Sequence, residues 1–125
     1  MKDELIKILD NFFTPLGFKK QNSLWSFDNG ILIKKVNLQK SDFGEIFYLN
    51  YGYDIKNLNS DLDSTMDIYN RAGTINHVDD LQSLINEVSN NFNSTNSEED
   101  ILSSFEKRPT MNDIPLNIKK YFKLT

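Results

Sequence analysis

The stretch Leu24-Trp-Ser-Phe-Asp-Asn-Gly-Ile-Leu-Ile-Lys-Lys-Val-Asn-Leu-Gln-Lys40, continuing as Ser41-Asp-Phe-Gly-Glu-Ile-Phe-Tyr-Leu-Asn-Tyr-Gly-Tyr-Asp-Ile55, decides the fold. It consists of short runs of aromatic and branched residues broken by turn residues, which is a strand pattern and not a helical one. Asp28-Asn29-Gly30 joins a strand over 24–27 to one over 31–39, and Asn-Gly suits the centre of a type I′ hairpin because both residues tolerate positive φ. Residues 40–44 make the next turn, into a third strand over 45–55. There Phe47, Leu49, Tyr51, Tyr53 and Ile55 share a face that should pack on helices, while Ile46, Tyr48, Asn50, Gly52 and Asp54 form a mixed face half open to water. Gly52 inside this strand predicts a bulge or the close approach of another backbone.

Upstream, Leu5, Ile8, Leu9, Phe12, Phe13 and Leu16 recur at helical spacing, so 3–14 reads as an amphipathic helix that Pro15 and Gly17 bring to a stop. Downstream, 56–64 is polar and turn-like. Met66 and Ile68 then alternate with Asp67, Tyr69 and Arg71 as in a fourth strand. Leu81, Leu84, Ile85, Val88 and Phe92 return to helical spacing, with Asp79 and Asp80 suited to the positive end of the helix dipole. Ser97 with Asp100 forms a capping-box pattern ahead of Ile101, Leu102 and Phe105, and Pro115 opens a last turn carrying Leu116, Tyr121 and Phe122. The expectation is one α+β domain over 1–125: an N-terminal helix, an antiparallel sheet of about four strands in meander order, and C-terminal helices on one sheet face.

Composition narrows the chemistry. The absence of cysteine excludes a disulfide scaffold, a thiolate metal site and a cysteine nucleophile. The opening residues lack a signal-peptide pattern and no run is long enough to span a bilayer, so the expected address is the cytoplasm, with no membrane partner. The net charge of −4 is unevenly spread: residues 57–106 carry ten acids against the single base Arg71, whereas 1–56 is close to balanced and 107–125 is basic. An acidic face repels phosphate backbones, which disfavours nucleic acid as a partner, although Lys19, Lys20, Lys34, Lys35 and Lys40 would be its anchor points.

No constellation for catalysis stands out. His77 is the only histidine and lies in a loop entering a helix, and no nucleophile elbow accompanies it. Asp61, Asp63 and Asp67 do not fit a calcium loop, because Met66 occupies the position that needs glycine. The five glycines form no phosphate-binding loop. No catalytic residue, metal ligand or cofactor is therefore assigned. Two surfaces remain as candidates for binding. One is a polar sheet face built from Lys35, Asn37, Gln39, Lys40, Ser41, Asn50 and Arg71, where amide and ammonium donors could meet a carboxylate or phosphate. The other is an acidic surface of Asp79, Asp80 and Glu87. Trp25 is read as core or as a partly exposed anchor.

The order of a starting helix, Leu16-Gly17-Phe18-Lys19-Lys20, a Trp/Phe strand, Val36-Asn37-Leu38-Gln39-Lys40-Ser41 and Phe47-Tyr48-Leu49-Asn50-Tyr51-Gly52 resembles the bacterial family catalogued as domain of unknown function 4304. The resemblance is carried by residues 3–72, most specifically by the Asn-Leu-Gln-Lys-Ser and Leu-Asn-x-Gly runs. It implies an antiparallel α+β domain without an established activity. It also implies an arginine and a histidine near the fourth strand; Arg71 matches the first, and Ile68 or Tyr69 stands where the histidine would be. The neighbourhood of some members to toxin systems implies a role in toxin immunity. The expectation is a non-enzymatic module binding another protein, with a small-ligand or enzymatic site on the polar sheet face as the alternative.

Overall fold

A computed structural model of the chain describes residues 1–58 and 63–124. Helix α1 (Lys2–Phe13) leads through a 3₁₀ turn at Thr14–Leu16 into strands β1 (Lys19–Gln21), β2 (Leu24–Asp28), β3 (Leu32–Lys40), β4 (Phe47–Ile55) and β5 (Ile68–Ile75). Helices α2 (Leu81–Ser94), α3 (Glu98–Glu106) and α4 (Leu116–Tyr121) follow. The strands form one antiparallel sheet in the order β1-β2-β3-β4-β5, so the fold is the α+β meander that the sequence predicts, with one strand more. The additional strand is β1, whose three exposed residues pair with Leu24–Ser26. It carries no hydrophobic alternation, and only its pairing marks it as a strand.

The helices cover one sheet face. Leu5, Leu9 and Phe13 of α1, and Leu81, Ile85, Val88 and Phe92 of α2, are buried together with Trp25, Leu32, Val36, Leu38, Leu49, Tyr53 and Ile55. Each such side chain contributes roughly 1.5–3 kcal/mol relative to exposure, which makes this layer the main source of stability. Phe92 is its hub, with ring centroids of Phe13, Phe18, Tyr51 and Tyr53 at 6.4, 5.7, 6.0 and 5.6 Å. Trp25 is wholly buried and donates through Nε1 to Asp10 Oδ1 at 3.1 Å, so it is core and not a surface anchor.

One local reading changes and another is narrowed to one of its two alternatives. The β2–β3 turn is centred on Gly30–Ile31, not on Asn29–Gly30: Asn29 N–H bonds Leu32 O at 3.1 Å, and only the glycine has positive φ, at 96°. Asn29 instead accepts from the N–H groups of Ile31 and Leu32 through Oδ1, an asparagine-based turn that leaves the glycine at the first central position, as in type II′ turns. Gly52 marks a close backbone approach, since a Cβ there would lie 2.0 Å from Ile68 O. The register shift falls elsewhere, between Leu49 and Asn50.

Candidate functional site on the open sheet face

Alternation along β3, β4 and β5 sends Lys35, Asn37, Gln39, Tyr48, Asn50, Tyr69 and Arg71 to the face opposite the helices. Antiparallel register places Asn37 beside Asn50, Asn50 beside Arg71, and Gln39 beside Tyr48. Asn50, only 2% exposed, is the centre of the resulting network. Its Nδ2 donates to Gln39 Oε1 at 2.8 Å and to Asn37 Oδ1 at 3.4 Å, while its Oδ1 accepts from Tyr69 OH at 2.6 Å and Arg71 Nε at 3.1 Å. Arg71 Nη2 donates to Gln39 Oε1 at 3.1 Å and to Tyr69 OH at 3.3 Å. The guanidinium carbon lies 3.9 Å from the Tyr48 ring centroid, a cation–π stack. Arg71 is therefore a surface cation held in one orientation from both its edge and its face. Nη1 donates to no group among the described residues, so it remains available to an acceptor from outside.

Among the described residues Arg71 makes no ion pair with Asp67 or a helix carboxylate. Asp67 turns inward, accepting from Ile55 N–H at 2.9 Å, while its own N–H donates to Asp54 Oδ1 at 2.9 Å. Burial holds the Asp67 carboxyl above the ordinary carboxylate range.

The other residues expected on this face divide. Lys35 is a correction: it is fully buried, with Nζ 2.5 Å from Asp54 Oδ2 and donating to the carbonyls of Asp63 and Thr65 at 2.7 and 2.9 Å. The segment 63–67 lies over it, so it cannot greet a ligand as an open ammonium. Ser41 is likewise buried, its Oγ accepting from Phe43 N–H at 3.0 Å and shaping the β3–β4 turn. Lys40 is exposed and loosely paired with Glu45 at 3.9 Å. Asn37, Gln39, Asn50 and Arg71 are brought together as expected. Tyr48 and Tyr69 complete the cluster; neither belongs to the polar face expected from the sequence, where alternation with core positions is the signal that places them here.

The acidic surface is dispersed. Asp79 and Glu87 are exposed, but Asp80 accepts from the N–H groups of His77 and Asn76, both at 2.9 Å, which lowers its pKa and makes it a cap. The candidate lysine patch also breaks up, because Lys34 and Lys35 are buried on opposite faces of β3. Asp61 lies outside the described residues; among those described, no group of three or more His, Cys, Asp or Glu could hold a metal. No helix among them is long and apolar enough to cross a membrane.

Fold and site together define an α+β class in which a helical layer covers one face of a meander and the other presents a braced arginine. The chain belongs to the family described as domain of unknown function DUF4304, which it matches over residues 9–119, well beyond the limit at residue 72 read from the sequence motifs. No curated protein and no solved structure is detectably similar to it.

Proposed function

We propose that this protein is a non-enzymatic protein-binding module that engages its partner through the open face around Arg71. The observation that carries this reading is the bracing of an exposed guanidinium by Asn50, Gln39, Tyr69 and Tyr48. Arg and Tyr dominate binding hot spots, and a side chain already held in place loses little rotamer freedom on association. Phe43, 88% exposed on the β3–β4 turn, and Tyr69, 48% exposed, add apolar area at the same strands. A backbone carbonyl or carboxylate of the partner is the natural acceptor for Nη1. Immunity, in which the partner is a toxin domain, is the specific form we favour, and the exposed acids Asp79 and Glu87 would steer a basic toxin by long-range attraction.

The small-ligand alternative on this face is less well supported. A cavity of about 340 Å³ opens beside Asn37, between residues 21–24 and Asp63–Ser64, but Gln39, Asn50 and Arg71 are not among its walls.

The test is affinity capture of the tagged protein from lysate of its host, with the complex purified by size exclusion and then challenged with variants. Arg71→Ala with Tyr69→Ala should weaken binding by about 2 kcal/mol or more, the hot-spot range. Reversing Asp79 and Glu87 to lysine should mainly slow association. Unchanged affinity in the Arg71/Tyr69 variant would remove the open face from the interface. For the immunity form, co-expression should relieve growth arrest caused by the captured partner alone.

A further inference from the structure

A second candidate site lies on the helical side of the sheet and owes nothing to the open-face reading. A cleft of about 590 Å³ opens among α3, α2, β4 and β5, with Tyr53, Asn70, Asn91, Ser103, Lys107 and Arg108 among its walls. Cavities of roughly 300–1,000 Å³ are the usual size of small-molecule sites. Ser94 Oγ and Ser104 Oγ already donate to the carbonyls of Asn91 and Ile101 at 3.0 and 2.6 Å, so the free donors of the wall are amides and cations. Asn91 Oδ1 already accepts from the Tyr53 hydroxyl, and Asn70 Oδ1 from Arg108 Nη2 at 3.5 Å. The Nδ2 groups of both amides donate to nothing among the described residues. Lys107 and Arg108 add two cations.

The one carboxylate in the wall, Asp100, is already engaged within the protein. Its Oδ2 accepts from the N–H groups of Asn96 and Ser97 at 2.8 and 3.2 Å, and its charge is attracted to Lys34. Asp113, which pairs with Arg108 at 2.5 Å, is two-thirds exposed and is not part of the wall. A wall of free amide donors and two cations, with the Tyr53, Ser94 and Ser104 hydroxyls left as acceptors because their protons go to Asn91 and Ile101, suits a negatively charged ligand that also carries hydroxyl groups.

We infer that the cleft between α3 and the β4–β5 edge binds a small hydroxylated molecule bearing an anionic oxygen group, phosphate or carboxylate. The test follows backbone amide chemical shifts of the full chain while glucose 6-phosphate, gluconate and glucose are added in turn. One or both anions should produce saturable shifts at Asn70, Asn91 and Ser104, and glucose should not; whichever anion binds more tightly identifies the group. Lys107→Gln, an exposed change that leaves the fold alone, should weaken that binding about tenfold, the loss of one charge-assisted hydrogen bond. Arg108→Gln should do the same, with spectral dispersion checking that it folds. Absence of saturable shifts with both anions would overturn the assignment. So would equal binding of glucose, or affinity unchanged in both variants.

Discussion

Lys34 and Lys35 are neighbours in the chain and end on opposite faces of β3, both buried. Lys34 Nζ donates to Phe92 O at 2.6 Å and Asn96 Oδ1 at 2.7 Å, tying the sheet to the end of α2, and burial lowers its pKa. Lys35 meets Asp54 and two carbonyls of the 63–67 segment. A lysine looks like surface in a sequence, and nothing local marks these two as buried, because the partners named here all lie outside β3. Removing one member of a buried pair leaves the other charged and desolvated, so Lys35→Met alone should cost about 3–5 kcal/mol. The double change Lys35→Met with Asp54→Leu should recover much of that loss in urea unfolding. Additive losses would mean that the pair is not the unit of stability.

At the scale of elements, boundaries set by periodicity were legible and those set by pairing were not. The α1 stop at Pro15, the Ser97–Asp100 capping box and the core face of β4 all follow from local sequence. Strand β1 and the true centre of the β2–β3 turn depend on which backbone groups meet across strands. Likewise, the composition of the Arg71 site was readable, whereas the bracing by Asn50 required the register of three strands. The two informative glycines separate these effects. Gly30→Ala meets open space and pays only for positive φ, so it should cost about 1 kcal/mol. Gly52→Ala drives a methyl into Ile68 O and Met66 Sδ, and should cost at least about 2 kcal/mol by urea midpoint. Equal costs would show that β5 gives way easily at Ile68.

For the molecule as a whole, several carboxylates act in one direction on acid stability. Hydrogen bonding lowers Asp10 chiefly through Trp25, Asp28 through Lys56, Asp63 through Thr65, Asp80 through His77, and Asp100 through Asn96. Each binds its proton more weakly folded than unfolded, so its contribution is complete above the ordinary value of 3.8 and is lost as pH falls through the lower folded values. Asp67, raised by burial, works the opposite way and softens the decline. Unfolding midpoints should therefore hold steady down to about pH 5 and drop below pH 4, and Asp80→Asn with Asp100→Asn should make that drop shallower. An unchanged slope would assign acid sensitivity to other groups.

The meander has a consequence for synthesis. Each strand bonds only its neighbour in sequence, so every pairing closes a short loop, and the sheet can assemble progressively as the chain leaves the ribosome. The lid over its apolar side comes last, because α2, α3 and α4 all follow β5. Until Phe92 is made, the nascent sheet has only α1 to shelter Tyr51, Tyr53 and Trp25, and such surface is prone to associate with other chains. Seven of the ten acids of residues 57–106, from Asp79 onward, arrive with the covering helices, so the segment that seals the apolar layer also brings the charge that keeps crowded chains apart.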